Sequence, residues 1–213
     1  MPVSHELRCI HIHIPRTGGT SVEHALGTFH NWKDENRTAM FGLIQSADTL
    51  ERVSVSRFLQ HVTALEARAI LPVECADYFS FAFVRNPWDR MVSIFHHKDP
   101  NLVMHAAAAG IDVHALSFGD FVEITRDLTH VHLVPQITFV SDERGGCTVD
   151  FIGRFERLAQ DFAVIKSRLG IDVELAWHNR SNHDHYRSYY CDHTRRLVGD
   201  LYRKDVEAFG YEF

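Results

Sequence analysis

Ile10 to Val22 reads Ile-His-Ile-His-Ile-Pro-Arg-Thr-Gly-Gly-Thr-Ser-Val, and this stretch decides the fold. The alternation from Leu7 to Ile14 predicts a β-strand. Pro15 ends it, because its φ is fixed and it has no N–H for the ladder. Gly18 and Gly19 let the backbone turn tightly and approach a ligand. Thr20 and Ser21 then open a helix predicted to reach Phe29. A strand, a glycine turn and a helix N-terminus together present N–H groups and a positive dipole end, which makes an anion site, most often for phosphate. The loop is not that of a nucleoside triphosphatase, which needs Gly-x-x-x-x-Gly-Lys-Ser/Thr. No glycine precedes Gly18 at that spacing, no Lys follows Gly19, and the cation, Arg16, stands before the glycines. The competing reading is a tight β–α turn with an incidental Arg16.

A second strand end has the same design. Tyr78 to Val84 is apolar and aromatic, as in a central strand buried on both faces. It runs into Arg85-Asn86-Pro87-Trp88-Asp89. Asn86 suits an N-cap, Pro87 the first helical position and Asp89 a reciprocal cap, so a helix is predicted over Pro87–His97. Arg85 then lies at the strand end, and Ser93 shares a helix face with Arg90. Magnesium-dependent phosphotransferases place an Asp after such a strand to hold the metal. Arg85 in that position points to direct reception of an anion by cations, without a metal.

Between the two, Ser56–His61 is predicted as a short strand, and Thr63-Ala-Leu-Glu66 is a capping box that opens a helix ended by Pro72. This puts His61 at a carboxyl strand edge, where ligands bind in open α/β sheets. Further helices are expected at Asn101–Ala109, Phe118–Arg126, Arg157–Leu169 and His193–Phe209, and strands at Ile137–Val140 and Val149–Arg154. Successive strand–helix units imply an α/β fold with a central, mainly parallel sheet flanked by helices in three layers.

The chain has 213 residues, which predicts a single domain over 1–213. Its net charge of −6 argues against a nucleic-acid partner. The four cysteines, Cys9, Cys75, Cys147 and Cys191, form no Cys-x-x-Cys and read as free thiols. The first strand begins close to Met1, and no apolar run approaches the ~18 residues of a membrane span. The expectation is a cytoplasmic protein with no integral membrane segment.

These stretches carry a family resemblance. Pro15 to Ser21 resembles the 5′-phosphosulfate loop of sulfotransferases that use 3′-phosphoadenosine 5′-phosphosulfate. Phe81 to Ser93, with Arg85 and Ser93 eight apart, is similar to their 3′-phosphate motif. Phe151-Ile-Gly-Arg-Phe-Glu156, Asn179-Arg180-Ser181 and Phe209-Gly-Tyr-Glu-Phe213 resemble the carbohydrate branch that includes the heparan and chondroitin enzymes. The resemblance implies a P-loop-like fold and transfer of a sulfuryl group to an acceptor hydroxyl, of a glycan or of a small hydroxyl compound. It implies that Arg16, Thr17, Gly18, Gly19, Thr20 and Ser21 cradle the donor's 5′ end, that Arg85 and Ser93 hold its 3′-phosphate, and that Arg180 and Ser181 close over that phosphate. The family often has Lys where this chain has Arg16. Arginine stays charged and does not act as a general acid, so Arg16 is expected to stabilise the leaving phosphate as a cation.

His61 is the candidate base, since a similarly placed His serves in related glycan sulfotransferases; a structural role is the competing reading. His11 and His13 fall on one strand face and are more simply packed than metal-binding. His178, His183 and His185 make no recognisable metal spacing with Asp184. Trp88 and Phe95 read as core, and Arg195, Arg196, Arg203 and Lys204 as a solvated helix face. Two other classes stay open: a kinase-like phosphotransferase, which would need a metal-binding Asp and a loop Lys, and a catalytically silent nucleotide- or glycan-binding module, which would lack a base.

Overall fold

A computed structural model gives the structure and describes residues 3–27, 59–71, 73–176 and 184–213. Within these, β1 is Val3–Ser4, β2 Cys9–Ile12, α1 Gly19–Ala25, α2 Ala64–Ile70, β3 Phe79–Val84, α3 Pro87–His97, α4 Pro100–Ala108 and α5 Phe118–Ile124. They are followed by α6 Ile137–Val140, β4 Phe151–Arg154, α7 Leu158–Leu169, α8 Asp192–Leu201 and α9 Arg203–Phe209. The chain divides into two compact units, one of residues 1–84 and 138–179, the other of residues 85–137 and 180–213.

The first unit is built on a sheet of order β1-β2-β3-β4. β3 is parallel to β2 (Cys9 opposite Phe79, Ile12 opposite Ala82) and to β4 (Phe81 opposite Phe151, Val84 opposite Arg154), while β1 is antiparallel to β2. All six residues of β3 are buried, as in a strand covered on both faces, and its one polar side chain, Ser80, donates to Asp150 at 2.8 Å. Phe79, Phe81 and Phe83, two apart and hence on one face, join Cys9 with Val22 of α1, Leu26 just past its end, and Leu158, Phe162 and Ile165 of α7 in one core. Gly153 of β4 leaves room for Phe83, since a Cβ there would stand 2.4 Å from that ring. α7 ends at Gly170, whose φ of 65° suits a residue without a side chain.

The second unit is helical. Phe95 packs edge-on to Phe118 and against Phe121. Trp88 is buried, and its indole N–H donates to the Arg195 carbonyl at 2.9 Å. Arg195, Arg196, Arg203 and Lys204 are exposed. All four cysteines are free. No described helix is long and apolar enough to cross a membrane.

Three elements differ from expectation. Ile137–Val140 is helical, not a strand, because the buried Asp205 accepts from the N–H groups of Gln136 and Ile137 at 2.8 Å each and so nucleates a turn. The final helix is interrupted at Tyr202 (φ −110°, ψ 28°), whose buried side chain donates to the Leu133 carbonyl at 3.0 Å. His61 closes a 3-10 turn over Leu59–His61 instead of a strand, while residues 56–58 lie outside the described residues.

Candidate active site

The first candidate station follows β2. Beyond the strand, Ile14 N–H donates back to the Ile12 carbonyl at 3.1 Å, and the Thr17 hydroxyl donates to the Ile14 carbonyl at 2.9 Å. Thr17, fully buried, therefore shapes the loop from inside. Arg16 takes a left-handed φ of 67°, unusual for a residue with a side chain, and Gly18 follows at 88°. The N–H groups of Ser21 and Val22 close on the Gly18 carbonyl at 3.0 and 3.3 Å, so α1 begins at Gly19, one residue earlier than expected. Glycine is required at Gly19 for a steric reason, because a Cβ there would meet the His13 ring at 2.5 Å. Ser21 is buried and Thr20 half-buried.

Beneath this loop lies a buried cluster. His11 and His13 share a face as the period of two predicts, with ring centroids 5.5 Å apart, and His11 stacks on Phe81 at 5.0 Å. His13 Nδ1 hydrogen-bonds to Glu23 Oε1, whose carboxylate lies 3.7 Å from His11 Nδ1. Burial alone would raise the Glu23 carboxyl, but His13 and then His11 outweigh it and bring the group down to about 2. Burial pushes the His11 imidazole down to about 3, against the pull of Glu23. Glu23 was not singled out in the sequence. The available signal was its spacing from Gly19 and Leu26, which puts it on the buried face of α1 opposite two strand histidines.

His61 joins this cluster. Its Nδ1 lies 2.9 Å from the His13 carbonyl, and its ring meets that of His13 at 4.8 Å, nearly perpendicular. A carbonyl only accepts, so Nδ1 carries the proton and the lone pair sits on Nε2, as a general base needs. Burial, reinforced by His13, holds the His61 pKa well below the usual imidazole value, so the ring is neutral at neutral pH.

The second candidate station opens α3. Asn86 Oδ1 accepts from the N–H groups of Trp88 and Asp89 at 3.0 and 3.4 Å, with Pro87 in the first turn as expected. The Asn86 amide donates to the Glu212 carbonyl at 2.8 Å, and the Phe213 ring packs on Trp88 and Tyr190. The closing Phe209–Phe213 stretch thus braces the cap. Asp89 accepts from Arg85 Nε at 2.8 Å. Arg85 is 6% exposed, and Ser93, two turns along, is fully buried. Arg90, on the face of Ser93, is an internal tie: its guanidinium donates to the carbonyls of Val134 (3.1 Å) and His132 (2.9 Å). Gln136 is a further residue that the sequence did not reveal, and its amide bonds to the Arg85 backbone.

Arg180, Ser181, His178 and His183 lie outside the described residues. Among the described residues, no group of three or more His, Cys, Asp or Glu is placed to hold a metal ion.

The profile of the Sulfotransferase family matches residues 2–212. The human and Pongo abelii proteins "Carbohydrate sulfotransferase 10" are each 26% identical over 172 residues, covering 63% of this chain and 47% of the relative. The chain therefore spans about half the length of these curated relatives. The solved structure of mouse sulfotransferase SULT7A1 complexed with PAP matches with a TM-score of 0.55 at 15% identity, over 96% of this chain and 90% of that one. The likeness shows the fold, a P-loop-like α/β architecture with a central sheet flanked by helices.

Proposed function

Because the chain belongs to the sulfotransferase family, we propose that it is an enzyme that transfers the sulfuryl group of 3′-phosphoadenosine 5′-phosphosulfate to an acceptor hydroxyl. The observation that carries this reading is the pair of parallel strand ends that each lead into a helix with an arginine at the junction, Pro15–Ser21 after β2 and Arg85 after β3, in a chain whose family uses a donor with two anionic ends. In this reading Arg16, Thr17, Gly18, Gly19, Thr20 and Ser21 hold the 5′-phosphosulfate. Arg85 and Ser93 hold the 3′-phosphate, with Arg180 and Ser181 closing on it. The PAP in the mouse relative, the product nucleotide of such a reaction, supports this donor.

The acceptor oxygen attacks sulfur in line with the 5′-phosphate. The sulfur–oxygen bond to that phosphate breaks, and its electron pair leaves with the phosphate. His61 Nε2 takes the acceptor proton, a role supported by the Nδ1 bond to the His13 carbonyl. Arg16 stabilises charge on the leaving phosphate by hydrogen bonding and keeps its own proton. The products are a sulfate ester and adenosine 3′,5′-bisphosphate. Transfer needs no divalent metal in this reading, since Arg85 occupies the strand end where phosphotransferases place a metal-holding Asp. The acceptor is a carbohydrate hydroxyl, for which the named carbohydrate sulfotransferase relatives are the support.

The test is a screen of glycan, phenol and lipid acceptors with sulfur-labelled donor. Label transfer to a sugar hydroxyl is expected. Transfer only to a phenol or lipid overturns the acceptor class, and nucleotide binding with no transfer to any acceptor favours a silent binding module.

A further inference from the structure

The backbone of Arg85 is held by a buried relay of side chains. Arg85 is the first residue past β3, whose ladder to β4 ends with Val84 opposite Arg154. Its N–H and C=O need other partners, and Gln136, itself fully buried, supplies both. Gln136 Oε1 accepts from Arg85 N–H, and Gln136 Nε2 donates to the Arg85 carbonyl, each at 2.8 Å. One side-chain amide thus takes the place of a neighbouring peptide.

Asp205 of α9, also fully buried, fixes Gln136 in turn. It accepts from the Gln136 N–H at 2.8 Å and from Nε2 at 3.3 Å, while its other oxygen accepts from Ile137 N–H. Arg90 of α3 ties the approach to Gln136 through the carbonyls of His132 and Val134. The outer part of the Arg85 side chain is steered separately, by Asp89 on Nε.

Burying an amide and a carboxylate in series costs more than an apolar contact. What the relay provides is a single backbone setting at the residue that carries the guanidinium. We propose that Gln136 and Asp205 are positioning residues for recognition of the donor's 3′-phosphate, acting through Arg85. The inference rests on the reading of Arg85 as the 3′-phosphate cation. It assigns to the relay the preference for a nucleotide that bears that phosphate over one that lacks it.

The experiment measures, by titration calorimetry, the affinities for adenosine 3′,5′-bisphosphate and adenosine 5′-monophosphate of the parent protein and of Arg85→Ala, Gln136→Met, Asp205→Asn and the Arg85→Ala/Gln136→Met double variant. Arg85→Ala is expected to lower the preference for the bisphosphate by roughly 10–150-fold, as for a lost charged hydrogen bond. Gln136→Met is expected to lower it by about tenfold while monophosphate affinity stays within about twofold, a weakened version of the same loss. In the double variant the Gln136 change adds nothing, because its effect passes through Arg85.

A Gln136→Met protein that keeps the full preference, or that loses both affinities together, overturns the inference. So does a further loss of preference in the double variant. If Gln136→Met does not fold, Asp205→Asn, which keeps the side chain's size, is read by the same criteria. Retained preference in Arg85→Ala instead overturns the 3′-phosphate reading of Arg85, so the two failures are distinct.

Discussion

Replacing Glu23 by Gln tests the buried cluster under the glycine loop. Glutamine keeps an oxygen that can accept from His13 Nδ1 and removes only the charge. The Glu23 carboxyl falls from 4.5 to about 2 in the folded protein. At ~1.4 kcal/mol per pKa unit this corresponds to about 3 kcal/mol of stability. The folded pKa lies below the unfolded one, so the contribution is fully present above the unfolded value of 4.5 and is lost as pH falls toward about 2. Urea unfolding of parent and variant at pH 7, 5 and 3 should therefore give a gap of about 3 kcal/mol at pH 7 that persists at pH 5 and narrows by pH 3. A variant as stable as the parent at pH 7, or a gap unchanged down to pH 3, refutes the reasoning.

The other predictions concern the site itself. Gly19→Ala drives a methyl group into the His13 ring, which Glu23 and His61 hold in place, and should cost about 1–3 kcal/mol in denaturant titration; an unchanged midpoint would show that the ring yields freely. His61→Ala should lower kcat by ~10²–10⁴-fold with little change in product-nucleotide affinity, and full kcat would remove His61 from the mechanism. The depressed His61 pKa also puts the acid limb of the parent's kcat profile below the ordinary imidazole range, so a limb at or above pH ~6.5 would contradict its burial. Turnover should persist in excess chelator, and a loss that magnesium restores would contradict the role given to the Arg85 strand end.

What the sequence disclosed about the fold was local. The N-cap Asn86, the first-turn Pro87 and the apolar stripe that follows fix α3 at Pro87–His97 with no long-range information. The Thr63–Glu66 capping box likewise forms as read, because both partners lie within one turn. Ile137–Val140 misled for the opposite reason. A short run of β-branched and aromatic residues favours a strand, but the carboxylate that turns it into a helix belongs to Asp205, 68 residues away from Ile137. No window of sequence contains both.

The site divides in the same way. The glycine turn with Arg16 before it and the strand end at Arg85 were legible because each is written in adjacent residues. The groups that set how those residues behave were not. The proton position on His61 follows from a carbonyl 48 residues earlier, and the setting of Arg85 from an amide 51 residues later. A buried polar residue becomes informative only when its partner is known, since Gln136 or Glu23 alone reads as an ordinary helix or loop residue. In this chain the strand end and cap at Arg85–Pro87 are written in one short window, while the buried Gln136 amide that bonds the Arg85 backbone lies 51 residues on and the Asp205 carboxylate that bonds Gln136 a further 69.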